Sequence, residues 1–343
     1  MSTPSGKCAG YVVGLDIGGT KVLGVLRAPD GSVRGSFRLP TVRGVRGVVT
    51  TAAAVVRALT SEMRTMPGLL DGVGVGVPGL VDPAAGTVAH AVNLGFPGTA
   101  TPLARLLSAE LTGARVEVEN DLNVAALGAA DHAGTGADLA FLSLGTGLAA
   151  GLVLNGRLRR GASGAAGEIG HLPYRIDGPI CPCGQRGCLE LYASGASLDA
   201  RWTQVGDIPG PAGVFAAALA GDPTAIALQA DYANAVAAAV RILVLTTDVH
   251  HVVLGGGVSD LGAPLLHAVV RALGEQAAGS GFLASLRLGE RVRLAPPGAP
   301  VAAIGAALLV SGTPRAESDE DSQPTTGAAR GQRGRRKPSL RAR

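Results

Sequence analysis

Short apolar runs alternate with glycine-rich turns and with longer stretches of Ala, Val and Leu along this chain. Residues 11–15 are apolar and predict a strand that runs into Asp16-Ile17-Gly18-Gly19-Thr20-Lys21. Apolar residues resume over 22–26 and stop at the turn Pro29-Asp30-Gly31, so the pattern is strand, glycine turn, strand: a hairpin. Val, Ala and Leu spaced around Arg and Thr predict a helix over 45–62, and 73–77 reads as a strand. Pro78-Gly79 and residues 82–86 are turns. Thr101 as cap with Pro102 at the first position predicts a helix through roughly Glu110. A strand over 116–118 ends in Glu119-Asn120-Asp121-Leu122-Asn123 and passes into an alanine-rich helix to about Ala130. The next strand, 139–144, ends in Gly145-Thr146-Gly147; apolar residues follow over 148–154, and Asn155-Gly156 is a hairpin turn. Beyond lie helical patterns over 194–202, 214–220 and 224–245, with a break at Pro209-Gly210-Pro211. A strand over 249–254 ends in Gly255-Gly256-Gly257; a helix over 264–277, a strand over 292–294 and a helix over 301–309 complete the pattern.

This alternation of strands with helices predicts an α/β fold. Strand, glycine turn, strand occurs twice: Gly19-Thr20 matches Gly145-Thr146, and Asp30-Gly31 resembles Asn155-Gly156. Two such turns facing across a cleft could grip successive phosphates of a nucleotide through backbone N–H groups. The first turn joins two strands, unlike a Rossmann start, and lacks Walker A spacing. Asp16 at its strand end could hold magnesium, and Thr20 and Lys21 could contact phosphate. Gly255, Gly256 and Gly257 permit close approach by a planar group such as adenine. Asp121 sits where a strand ends and a helix starts, the place where open α/β sheets put their chemistry; an N-cap is the structural alternative.

Residues 161–190 read GASGAAGEIGHLPYRIDGPICPCGQRGCLE. His171, Cys181, Cys183 and Cys188 form a closed four-ligand set of the type that holds structural zinc. Buried unliganded thiols or a disulfide are the alternatives; three clustered cysteines leave one odd, and no secretory signal is seen. A metal clip here would fix two carboxylates beside it, Glu168 and Glu190.

With 343 residues, 47% of them hydrophobic, the chain can build two domains. Aromatic residues are 3%, too few for stacking platforms along nucleic acid. No signal peptide or clear membrane span is read, so a reducing, cytoplasmic setting is expected. The net charge of +4 is uneven: residues 330–343 hold seven Lys or Arg, which leaves −3 for the rest. Residues 311–343 are expected to be a disordered basic tail without a specific nucleic-acid partner.

Taken together, these motifs resemble the ROK family of bacterial sugar kinases and related repressors, in the sugar kinase, Hsp70 and actin superfamily. The resemblance spans about residues 10–310. It rests most on Gly167-Glu168-Ile169-Gly170-His171 joined to Cys181-Pro182-Cys183-Gly184-Gln185-Arg186-Gly187-Cys188-Leu189-Glu190. It implies a two-lobed ribonuclease-H-like (actin/sugar kinase) fold with an interlobe cleft. The first lobe would be 1–120, completed by the C-terminal helix 300–310; the second would be 121–299, with a zinc loop over 171–188. By the same resemblance Asp16, Gly18, Gly19, Thr20 and Lys21 form the first phosphate loop, Gly145, Thr146 and Gly147 the second, and Gly255 to Gly257 the adenosine segment. Asp121 would be the general base, and Asn93, Asn120, Glu168, His171 and Glu190 the sugar contacts, with His171 also a zinc ligand. The implied reaction is transfer of the γ-phosphoryl of Mg-ATP to a hexose hydroxyl by a homodimer or homotetramer, with glucose or an amino or N-acetylated hexose as acceptor. Family repressors carry an N-terminal helix-turn-helix domain, for which a first loop at residue 16 leaves no room, so a kinase is expected over a sugar-sensing regulator.

Overall fold

In the computed structural model, residues 10–61, 70–134, 138–202 and 210–311 are described. Cys8, Glu62, Pro209 and the basic tail lie outside them. The first part comprises β1 (Tyr11–Ile17), β2 (Lys21–Arg27), β3 (Val33–Pro40), α1 (Val45–Thr60), β4 (Leu70–Val77), β5 (Leu80–Asp82), β6 (Thr87–Ala89), α2 (Leu103–Glu110), β7 (Val116–Asn120) and α3 (Asp121–Ala133). The second comprises β8 (Leu139–Leu144), β9 (Leu148–Leu154), β10 (Arg157–Leu158), α4 (Glu190–Ala193), α5 (Gly195–Arg201), α6 (Gly210–Leu219), α7 (Pro223–Thr247) and β11 (His251–Gly255). It continues through α8 (Ala263–Ala277), α9 (Gly281–Ser285), α10 (Leu288–Arg291), β12 (Val292–Leu294) and α11 (Val301–Val310).

The two glycine-turn hairpins each begin a five-stranded sheet, and the sheets share one topology: β3-β2-β1-β4-β7 and β10-β9-β8-β11-β12. In both, the hairpin is antiparallel and the strands beyond it run parallel to its first member. The internal repeat read from the two glycine turns is thus a repeat of architecture, and the two-lobed α/β fold stands. Each sheet has a core. Val13, Leu15, Val73 and Val75 pack with Val48, Val55, Leu103 and Leu107 in the first. Leu142, Leu144 and Leu254 pack with Tyr232, Val236, Val240 and Val269 in the second. The 25-residue α7 is long and apolar enough to cross a membrane, yet its Tyr232, Ala235, Val236, Ala239 and Val240 are wholly buried in that core.

Helices α3 and α11 join the two halves. The small residues of α3, Ala125, Ala126 and Ala129, pack with Phe141, Val153 and Val253 of the second sheet. Ala307 and Val310 of α11 pack on Val12 of the first. Where the two helices cross, a Cβ on Gly305 would lie 1.7 Å from Val124 O, and one on Gly128 would lie 1.8 Å from Val301 O. Only glycine permits that approach.

Several expectations need correction. Thr101 does not cap α2: its backbone pairs with Val88 (2.8 and 2.9 Å), and Pro102 takes the cap position. Asn120, not Asp121, caps α3, accepting from Leu122 N (2.9 Å) and Asn123 N (3.3 Å). Pro211 lies inside the first turn of α6, where its missing N–H costs nothing, so it starts that helix instead of preceding it. Strand β3 escaped the pattern because most of it is exposed and polar, held by backbone pairing to β2.

Gly305→Ala is expected to force α3 and α11 apart and lower stability by about 1–3 kcal/mol. Urea unfolding would read this as a lower midpoint at unchanged slope. An unchanged midpoint would mean that the helices do not cross this closely in solution.

Candidate active site

The first glycine turn is braced from outside itself. Gly18 N donates to Lys21 O (2.9 Å), Thr41 Oγ1 donates to Gly18 O (2.7 Å), and Thr41 N donates to Thr20 O (3.0 Å). Thr41 carried no sequence signal, because it lies outside any motif. Asn93 stands in a single 3-10 turn, Val92–Leu94, directly against this loop; a Cβ on Gly19 would lie 3.3 Å from the Asn93 Cβ. A predicted sugar contact and the first glycine turn are therefore neighbours.

The second turn meets the Gly255–Gly257 segment. Gly145 O accepts from Gly195 N (2.7 Å) at the start of α5, and Gly256 (φ 81°) turns the chain beyond β11 against Leu144. Together they line a cavity of about 530 Å³ whose walls include Gly145, Thr146, Gly257, Asp199 and Asp260. Asp16 and Lys21 are not among its lining residues. The two aspartates were missed, since each lies on a short polar segment without a motif.

Asp16 is the next-to-last residue of β1 and lies in register with Gly76 of β4, which lies in register with Glu119 of β7. Two strand spacings, about 9.6 Å, thus separate the Asp16 and β7 backbones. Gly76, which has no side chain, stands between them. Burial pushes the Asp16 carboxyl up to about 6, helped by the charge of Asp121 and opposed by Lys21. Burial also raises Asp121, against the lowering effect of the Leu122 N–H that its Oδ1 accepts at 2.9 Å. Because Asn120 performs the capping, Asp121 sits one residue inside the helix, as a half-buried carboxylate whose ionisation is disfavoured.

Glycines let the Gly167-to-His171 segment lie flat on β9. Ala150 N donates to Gly167 O (2.8 Å), and a Cβ would lie 1.8 Å from Ala150 O at Gly167 and 2.0 Å from Leu148 O at Gly170. Glu168 is exposed at the start of this turn. Glu190 packs on Gly170, and its Oε2 accepts from Leu148 N (3.0 Å), the residue after the second glycine turn. The region read as sugar-binding therefore touches the second glycine turn through Glu190.

His171, Cys181, Cys183 and Cys188 converge: their candidate ligand atoms all lie within 4.8 Å of one another. Cys183 Sγ and Cys188 Sγ are 3.7 Å apart, and Cys181 Sγ is 4.0 Å from His171 Nδ1. A disulfide needs about 2.05 Å, so these thiols are not bonded to each other. A separation of 3.7 Å suits the edge of a tetrahedron with metal–sulfur bonds of about 2.3 Å. The donor set fits a structural zinc ion. Arg175, 5.1 Å above the Tyr192 ring, ties the loop to α4.

Two lobes built on one repeated topology, with glycine turns at both hairpins and a half-buried aspartate at a strand-to-helix junction, have the two-lobed architecture of the sugar kinase, Hsp70 and actin class. The ROK family profile matches residues 12–313, and the chain belongs to the ROK family. It is 33% identical over 281 residues to a glucokinase of Halalkalibacterium halodurans, covering 76% of this chain and 84% of that protein. The fold matches the crystal structure of a ROK hexokinase from Thermus thermophilus with a TM-score of 0.72 at 34% identity, over 87% of this chain and 97% of that one. It also matches a ROK glucokinase from Streptomyces griseus in complex with glucose and AMPPNP, with a TM-score of 0.69 at 30% identity, over 88% and 99% of the two chains.

The raised Asp16 carboxyl has a consequence for stability. Its folded value, about 6, exceeds the ordinary value of 3.8, so the folded state holds more protons between those values. Stability is therefore fully present at the acid end of that window and is lost as pH rises through it. Asp16→Asn should raise the stability of the ligand-free protein at pH 7 by on the order of 2–3 kcal/mol and flatten this part of the profile. Thermal unfolding from pH 4 to 7 measures it; an unchanged profile would mean that the fold does not disfavour the Asp16 carboxylate.

Proposed function

We propose that this chain is a hexokinase of the glucokinase type, transferring the γ-phosphoryl of Mg-ATP to the 6-hydroxyl of glucose or a closely related hexose. The observation that carries the reading is the half-buried Asp121 with its raised carboxyl, left available by the Asn120 cap at the end of β7. The relative crystallised with glucose and AMPPNP supports the pairing of hexose and nucleotide.

In this reading the nucleotide base and ribose occupy the cavity beside Gly257, Asp199 and Asp260. Backbone N–H groups of Gly18 to Lys21 and of Gly145 to Gly147 hold the phosphates. Asp16 holds the magnesium of Mg-ATP, whose positive charge also favours the ionised form of that buried carboxyl. Asn93, Asn120, Glu168, His171 and Glu190 take the sugar hydroxyls. Asp121 accepts the proton of the attacking hydroxyl as its oxygen bonds to the γ-phosphorus and the bond to the ADP oxygen breaks. Burial raises its pKa, which makes the carboxylate a stronger proton acceptor. Zinc, when held by His171 and the three cysteines, would act as a structural clip that converts binding energy into folding energy. In this reading the lobes divide after residue 120, with α11 returning to the first lobe.

The first experiment is ADP release from Mg-ATP across glucose, mannose, glucosamine, N-acetylglucosamine, N-acetylmannosamine and fructose. One sugar well above the rest names the acceptor; an N-acetylated hexose would replace glucose in this proposal, and silence across the panel would favour a sugar-sensing protein without turnover. Asp121→Asn should lower kcat by about 100-fold or more while leaving the sugar Kd within a few-fold, and near-normal turnover would remove Asp121 as base. Cys183→Ser should lose bound zinc, measured by metal analysis, together with several degrees of Tm; full metal content in that variant would defeat the clip.

A further inference from the structure

Glu119 is the one charged side chain that is fully buried among the described residues, at 2% exposure. A carboxylate in such a place must have its lone pairs satisfied. Three donors converge on it. Asn120 N (2.9 Å) and Asn123 Nδ2 (2.9 Å) bond Oε1, and Arg160 Nε bonds Oε2 at 2.5 Å. The first two come from either side of Asp121. The third comes from the other sheet: Glu119 is on β7, an edge strand of the first, and Arg160 lies two residues beyond β10, an edge strand of the second.

Arg160 also begins the segment that leads to the sugar side of the site. Its carbonyl accepts from Ala166 N (3.1 Å), closing residues 160–166 into a loop, and Gly167, Glu168 and His171 follow. Glu119 therefore grips the β7–α3 junction with one carboxylate oxygen and the base of the 160–171 segment with the other. Asn120 carries the hold inward, because it caps α3 and its Nδ2 donates to Gly79 O (3.3 Å). Ion pairs with charge-assisted hydrogen bonds fix direction as well as distance.

We propose that Glu119 and Arg160 are positioning residues for phosphoryl transfer: their ion pair sets the orientation of the Asp121 carboxylate relative to the segment that carries Glu168 and His171. This rests on the reading of Asp121 as the base. The pair touches neither substrate nor nucleotide; it acts through Asn120 and Asn123. Its loss leaves the nucleotide cavity unaltered and misdirects the base, so kcat falls while the KM for Mg-ATP holds.

Kinetics with Mg-ATP and the best hexose, on the full chain, test this in Asp121→Asn, Arg160→Met, Arg160→Lys, Glu119→Gln and the Glu119→Gln/Arg160→Met double variant. Arg160→Met should lower kcat tenfold or more with the KM for Mg-ATP within twofold, and Arg160→Lys should recover part of the loss. The double variant should be no worse than its worse single parent, as expected for residues acting as one unit. A kcat within twofold of wild type in Arg160→Met, whatever its Tm, would overturn the proposal, and so would additive losses in the double variant. If Arg160→Met does not fold, Glu119→Gln carries the same thresholds. Wild-type turnover in Asp121→Asn would defeat the base, and the positioning role with it; a silent Asp121→Asn beside a normal Arg160→Met would defeat only the positioning role. Amide hydrogen exchange without substrate gives a readout independent of turnover. Leu122 and Asn123 should exchange at least tenfold faster in Arg160→Met while β11 is unchanged, and equal rates would overturn the proposal even if no hexose is turned over.

Discussion

The close crossing of α3 and α11 holds this molecule together. Gly128 and Gly305 let two helix backbones approach to within contact of each other's carbonyls, and each helix packs on a different sheet. A helix begins where its strand ends, so fixing α3 also fixes the β7–α3 junction, and with it Asn120 and Asp121. The same crossing brings the edges of the two sheets close enough for Arg160 to reach Glu119. Packing between small residues thus decides where the polar groups stand.

Those polar groups work against burial, each in a different way. Glu119 is fully satisfied by three donors and serves as a strut. Asp16 and Asp121 are incompletely compensated, and burial raises both carboxyls. A protein tolerates such groups where a ligand supplies the missing partner: magnesium for one and a substrate proton for the other in the proposed reaction. The thiol cluster follows the same logic. Burial and its neighbouring thiols push Cys188 up to about 12, so a thiolate there calls for a cation.

Much of the fold was legible because its signals are local. Both glycine turns, the strand pairs around them and the long α7 follow from periodicity and from residues with special backbone freedom. The site was legible where one residue type has one use, as with the four metal donors and the glycines of the Gly167–His171 turn. What stayed hidden had no local signature. Strand β3 and the β5–β6 hairpin carry little apolar pattern, Thr101 looked like a cap but was claimed by Val88, and Thr41, Asp199, Asp260 and Arg160 matter only through residues far along the chain.

By itself, then, the sequence determined the repeated α/β plan, the family and the chemical types gathered at each motif, because turns, periodicity and donor sets are properties of neighbouring residues. Tertiary structure decided which carboxylate has its charge disfavoured by burial and which is tied across the two sheets, while the amide of Asn120 took the cap of α3. Those outcomes depend on desolvation and on partners more than forty residues apart in the chain, such as Glu119 and Arg160 (|i−j| = 41). Such partners meet only after both sheets have packed against α3 and α11.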